Sequence, residues 1–292
     1  MLDDLKIKYK SLLPYERLIA INVIIFTVVA IVNAIAYSAT KKGIGFIGEY
    51  FALSDNLNSV LLKIWTIFTY GFLHFSFMHM LGNMIALYFT GQIFSRFFTN
   101  KQLYNFYFLG ILSGAVCFLL AYNLFPAFIN EDSILVGASA AVFSLLIGAA
   151  TYAPNYEIQL LITQVRVKLW IIAGLYVIAF ISLIPGNNSG GEFAHLGGAL
   201  LGYIYASQLK QGKDIGKGFE KIMDSIASWF KPKPAKMKTV HRSQKRTNDK
   251  TIFQKQRIKQ EKIDAILDKI SKSGYESLSK EEKDFLFQAG KE

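Results

Sequence analysis

Six apolar stretches of bilayer-crossing length dominate the first two-thirds of this chain, at about residues 18–37, 78–97, 103–123, 136–152, 169–184 and 193–209. A hydrocarbon core about 30 Å thick takes roughly 20 apolar residues per helix, and a helix satisfies its backbone N–H and C=O groups without water. The expected fold is therefore all-α: a polytopic membrane helix bundle of six transmembrane helices, followed by a helical cytosolic tail. Composition agrees, with 52% hydrophobic residues, 18% charged and a mean hydropathy of +0.30, whereas soluble domains carry about 25% charged residues. The first stretch follows a charged segment, is long for a signal peptide and lacks a small-x-small cleavage site, so it reads as a retained helix.

The net charge of +11 is unevenly placed: 21 of the 32 Lys and Arg lie after residue 209. Near the apolar stretches, Lys and Arg alternate by side. The N-terminus carries Lys6, Lys8, Lys10 and Arg17; the second and fourth connections carry Arg96, Lys101, Arg166 and Lys168. The third and fifth connections, 123–135 and 185–192, have neither Lys nor Arg. The positive-inside rule then puts both termini in the cytoplasm. The long first connection carries Lys41, Lys42 and Lys63, which dilute the alternation but count less in so long a segment; it is apolar and aromatic but broken by Gly, Lys, Asn and Asp, which suggests helices lying in the interface. The single cysteine, Cys117, permits no disulfide within the chain and reads as a small buried hydrophobe.

The expected domains are a cytosolic N-terminus (1–14), a six-helix membrane domain (15–209), an amphipathic interfacial helix (210–230), a basic linker (231–250) and a small helical tail (251–292). Ile215, Phe219, Ile222, Ile226, Trp229 and Phe230 share one face of the amphipathic segment, so with its lysines it suits an anionic lipid surface. Residues 279–282, Ser-Lys-Glu-Glu, read as a capping box opening a last helix. Topology and lipid attraction account for the basic tail, so nucleic acid is not an expected partner.

Polar groups inside membrane helices are costly and so are candidates for function. Of four histidines, His74, His79 and His195 fall at, or just before, the outer end of an apolar stretch. His79 and Asn83 are four apart on one helix face. Ser139 opens the fourth stretch as Gly137-Ala138-Ser139-Ala140, where its neighbours leave room around the hydroxyl. Gly198 and Gly202 form a small-xxx-small surface, and Ala140, Ser144 and Gly148 form a second small row. Packing those rows together would bring Ser139 to His195. Taken singly, each feature has a plain structural reading. Ser139 could bond back to a helix carbonyl, the glycines could mean only tight packing, His79 with Asn83 could be interhelical glue, and His74 more naturally belongs to the interface. A Ser, a His and a His/Asn pair at one membrane depth on three helices favour chemistry.

A serine hydroxyl needs a base to become a nucleophile. His195 is the nearby base, and with no Asp or Glu at that depth the expectation is a dyad lacking a carboxylate. Phe143, one turn after Ser139, would hold the ring by stacking. His79, Asn83 and the Ser139 backbone N–H would supply oxyanion donors.

These motifs resemble the rhomboid intramembrane serine proteases: H-x-x-x-N at His79 and Asn83, G-x-S at Gly137 and Ser139, and A-H-x-x-G-x-x-x-G at His195, Gly198 and Gly202. The resemblance covers about residues 15–208. It implies Ser139 as nucleophile, His195 as general base, and His79 and Asn83 as oxyanion donors. It also implies transmembrane-helix protein substrates, residence in a bacterial inner membrane, an active site open to the outer face, and the fifth helix with its following loop as a gate. Three positions depart from common family patterns: Trp65-Thr66 where a Trp-Arg pair is frequent, Phe143 where many bacterial members carry Tyr, and Ser95-Arg96 where many carry Glu-Arg. The alternatives weighed are a non-catalytic rhomboid-like binder of membrane clients and a small-solute transporter. No metal or organic cofactor is suggested.

Overall fold

A computed structural model describes residues 11–41, 45–129, 131–159, 165–229 and 249–290. The chain forms two compact units, residues 1–231 and 232–292.

In the first unit the elements run α1 (Pro14–Thr40), α2 (Gly45–Phe51), β1 (Leu53–Ser54), α3 (Leu57–Leu62), α4 (Thr66–Thr69), a 3₁₀ turn (Tyr70–Phe72), α5 (Phe77–Phe94), α6 (Asn100–Leu124), β2 (Ile134–Leu135), α7 (Ser139–Tyr152), β3 (Glu157–Gln159), β4 (Arg166–Lys168), α8 (Leu169–Leu183), α9 (Ser189–Lys210) and α10 (Lys217–Trp229). A helix occupies each of the six apolar stretches. By length and composition, α1 and α6 can each cross a membrane alone. The α4-to-α5 stretch makes a third candidate, bent by 91°. At 14 and 15 residues, α7 and α8 span only about 21–23 Å at 1.5 Å per residue; α7 is shorter than its apolar stretch because it starts after the turn at Gly137 rather than at residue 136.

The outer surfaces of these helices are apolar where a soluble protein's would be polar. Ile24, Val28, Ile31 and Ile35 on α1 and Trp170, Leu175, Ile178 and Ile181 on α8 are exposed. Lipid can cover such a surface and water cannot without large cost. The chain is an integral membrane protein.

The centre is built by α6, α7 and α9, whose small residues allow close contact. A Cβ on Gly198 would collide with the Ala140 backbone, and one on Gly202 with that of Ser144 and Gly148. The small rows of α7 and α9 therefore meet as expected. On the other side of α7, Ser144 Oγ donates to the Phe106 carbonyl of α6 at 2.6 Å. Ser113 Oγ of α6 donates to the Gly197 carbonyl of α9 at 2.7 Å. These hydroxyls bond across helices, so they fix register as well as satisfy themselves. Near the far end of α9, Tyr205 stacks on Phe106 with ring centres 4.1 Å apart. Its hydroxyl donates to Asp214 at 2.6 Å and accepts from Asn105 at 3.2 Å.

The first connection is anchored without the Trp-Arg pair. The Trp65 indole N–H donates to the Tyr50 carbonyl at 2.7 Å, and Lys63 Nζ donates to the Glu49 carbonyl at 2.9 Å. Two-residue β1 pairs antiparallel with β2 just ahead of α7, which ties this connection to the segment carrying Ser139.

In α10, Glu220 pairs with Lys101 of α6, while Ile222 and Ile226, and Ile215 just before the helix, remain exposed. The second unit contains α11 (Asp249–Ser273), a 3₁₀ turn (Tyr275–Ser277) and α12 (Lys280–Ala289). The capping box is present: Glu282 N–H donates to Ser279 Oγ at 3.2 Å and Ser279 N–H to Glu282 Oε2 at 2.8 Å. Lys269 pairs with Glu282 at 2.8 Å, and Ile266 and Leu278 are buried. Residues 1–10 of the expected N-terminal segment, and the expected linker up to residue 248 with His241, lie outside the described residues.

Candidate active site

Ser139 is the first residue of α7, and the backbone before it sets where its hydroxyl points. Gly137 adopts φ +122°, a region closed to most side-chain-bearing residues. A Cβ there would also sit 2.8–2.9 Å from the His79 ring. The Gly137 N–H donates to the Tyr70 carbonyl at 2.9 Å, and the Ala138 N–H approaches His74 Nε2 at 3.5 Å. His74, buried and edge-on to His79 with ring centres 5.1 Å apart, thus braces the turn from beneath.

His195 lies in the second turn of α9. Its Nε2 is 2.8 Å from Ser139 Oγ, a full hydrogen bond. The ring is walled by Phe143, edge-to-face at 5.0 Å, and by Phe180 of α8 at 4.8 Å. Phe143, expected to stack on the imidazole, meets it edge-to-face instead, and Phe180 supplies a second wall that its place in an apolar run does not disclose.

The expectation of an imidazole without a carboxylate is corrected. Glu192 Oε2 lies 3.2 Å from His195 Nδ1, and Glu192 is buried. Residues 185–192 are expected as a connection between helices; α9 instead begins at Ser189, which turns Glu192 onto the face of His195 three residues on. The i, i+3 spacing of Glu192 and His195 was the available signal.

His79 and Asn83 line the same cleft as this pair. Asn83 Nδ2 donates to the His79 carbonyl one turn back at 3.0 Å. Its second N–H is left for another acceptor, since an amide nitrogen carries two. The Ser139 N–H lies in the first turn of α7, where backbone donors have no intrahelical acceptor. Ser139, His195, His79, Asn83, Gly191 and Tyr176 all line one cleft of about 670 Å³. Gly198 and Gly202 lie below it, in the α7–α9 contact.

The fold and this cleft define a polytopic helical membrane protein with a hydrogen-bonded Ser–His pair beside candidate oxyanion donors. Residues 62–211, just over half of the chain, match the family model for the Rhomboid domain, and the chain belongs to the rhomboid family. Residues 246–291 match a family of unknown function, DUF6576.

Among curated proteins, the chain is 28% identical over 182 residues to "RHOMBOID-like protein 12, mitochondrial" of Arabidopsis thaliana, covering 58% of this chain and 53% of that protein. It is 26% identical over 195 residues to "Rhomboid protein 1, mitochondrial" of Saccharomyces cerevisiae, covering 63% and 52%. It is 27% identical over 166 residues to "Rhomboid-like protein 16, chloroplastic" of Arabidopsis thaliana, covering 52% and 51%. The chain spans about half the length of these relatives.

Proposed function

We propose that this protein is an intramembrane serine endopeptidase that cuts peptide bonds in or beside transmembrane helices of other membrane proteins. The observation that carries this reading is the 2.8 Å contact between Ser139 Oγ and His195 Nε2, in a cleft lined by His79 and Asn83.

Ser139 Oγ attacks the substrate carbonyl carbon while its proton passes to His195 Nε2. The carbonyl oxygen becomes an oxyanion, which accepts hydrogen bonds from the Ser139 N–H and the side chains of Asn83 and His79. The start of α7 adds a favourable dipole end there. As the tetrahedral intermediate collapses, the C–N bond breaks and the imidazolium returns its proton to the leaving amine. A water molecule, deprotonated by the same imidazole, then hydrolyses the acyl-serine ester. The close α7–α9 packing keeps the Ser–His distance short, since backbone-to-backbone contact admits little sliding.

Substrate entry beside α8, six membrane crossings with cytoplasmic termini in a bacterial inner membrane, an outward-facing cleft and attraction of anionic lipids to the basic tail belong to the same proposal. The alternation of Lys and Arg between connections supports the orientation.

The test is labelling of the detergent-solubilised protein with a serine-directed fluorophosphonate, beside cleavage of a model single-span substrate. The wild type is expected to label and cleave. The Ser139→Ala variant is expected to do neither while retaining its thermal midpoint. Cleavage by Ser139→Ala at the wild-type rate would end the reading.

A further inference from the structure

We propose that Glu192 is a positioning residue for His195, holding the imidazole as the Nδ1–H tautomer so that Nε2 faces Ser139 as a proton acceptor. This rests on the reading of Ser139 and His195 as nucleophile and base.

A neutral imidazole has one N–H donor and one lone-pair acceptor, and which nitrogen carries the proton is set by its partners. To take the proton of Ser139, Nε2 must be the acceptor, so the ring proton must sit on Nδ1. An ionised carboxylate only accepts. With Glu192 Oε2 3.2 Å from Nδ1 and Ser139 Oγ 2.8 Å from Nε2, the neutral imidazole that satisfies both contacts beside an ionised Glu192 is the Nδ1–H form. The opposite tautomer would set the Nδ1 lone pair against a carboxylate oxygen. When Ser139 gives up its proton, the resulting imidazolium faces an opposite charge already in place, and no group need reorganise.

The surroundings fit this role. Glu192 is the fourth residue of α9, and its backbone N–H donates to the Asn188 carbonyl at 3.1 Å, so its Cα is fixed by the first turn. A helix N-terminus favours negative charge. The side chain is 9% exposed and that of His195 15%, so water does little to weaken the pair.

Other polar groups around the ring include Ser139 on α7, His79 and Asn83 on α5, Asn188 just before α9, Tyr176 on α8 beyond Phe143, and Cys117 on α6 beside Gly197. Among the described residues, Glu192 is the one carboxylate hydrogen-bonded to this imidazole.

The test uses the full chain in detergent with the variants Glu192→Gln, Glu192→Ala and Glu192→Asp. Gln and Ala are expected to lower kcat by about 10- to 100-fold with KM held within about 2-fold. This is less than removal of a triad carboxylate costs in soluble serine proteases, because Phe143 and Phe180 still hold the ring. The kcat–pH profile of Gln and Ala is expected to depart from that of the wild type, because a carboxylate no longer faces the imidazole. Asp, which keeps the charge on a shorter stem, is expected to recover part of both effects.

Independently of any Glu192 variant, ¹⁵N spectra of the wild-type histidines, with His195 identified by its loss in His195→Ala, should show the proton on Nδ1. A wild-type Nε2–H tautomer overturns the inference. So do Gln and Ala variants with wild-type kcat and pH profile, and in that case the proteolytic reading stands. A wild type that neither cleaves nor labels defeats the proteolytic reading instead, and the spectra still decide the Glu192–His195 contact.

Discussion

Adding one methyl group at Gly198 should both loosen the bundle and disable the cleft. On the present backbone, the Cβ of a Gly198→Ala variant would lie 2.8 Å from the Ala140 carbonyl carbon and 3.0 Å from its Cα, with the carbonyl oxygen closer still. Relaxed carbon contacts begin near 3.5 Å. The obstacle is backbone, so no side chain can rotate aside, and the carbonyl oxygen, the nearest atom, requires α7 and α9 to part by about an ångström or more. Overpacking of this kind costs about 1–3 kcal/mol.

The same separation acts on the cleft, because Ser139 precedes Ala140 and His195 lies one turn before Gly198. Adding about an ångström to the 2.8 Å contact between Oγ and Nε2 takes it past ordinary hydrogen-bond range. A displacement of about 1 Å costs roughly 10² in rate. The assay pairs the thermal midpoint in detergent with the rate of fluorophosphonate labelling. Gly174→Ala on α8 is the control: nothing lies within 4 Å of its Cβ, and alanine favours a helix by about 0.8–1 kcal/mol over glycine. A Gly198→Ala protein with unchanged midpoint and labelling rate would refute the close-packing argument.

Gly137→Ala combines φ +122° with a Cβ against the His79 ring. It should destabilise the turn by about 1–3 kcal/mol, read as a lower thermal midpoint, and slow labelling of Ser139. Asn83→Ala removes one oxyanion donor while the Ser139 N–H and His79 remain. Its kcat should fall by about 10- to 100-fold, at or below the usual loss for one donor, with little change in midpoint, as measured by cleavage of the model substrate.

The helices were legible because their cause is local. An apolar run of sufficient length in lipid has a helix as its low-energy form, and α1, α5, α6, α7, α8 and α9 lie where the runs lie. The α7–α9 contact was also legible, since Gly198, Gly202, Ala140 and Gly148 advertise a close approach. The start of α9 was not. Ser189-Gly190-Gly191 has poor helix propensity, about 1 kcal/mol per glycine relative to alanine, and so reads as loop. In the folded protein the glycine pays its way by position: a Cβ on Gly190 would meet Phe118 at 2.8 Å, so tertiary packing overrides propensity there. The two-residue pairing of β1 with β2 was equally invisible, being too short for any periodicity and joining segments about 80 residues apart.

By itself, then, the sequence determined that this chain lives in a membrane, which stretches carry its long apolar helices and which polar side chains are costly to place there. Both consequences follow from the price of leaving polar groups unsatisfied in hydrocarbon. Only the tertiary structure decided that Ser139 and His195, 56 residues apart, meet at 2.8 Å, and that Glu192 closes on the far side of the same imidazole. Distances of tenths of an ångström are set by how backbones pack against one another, and no local pattern of residues carries them.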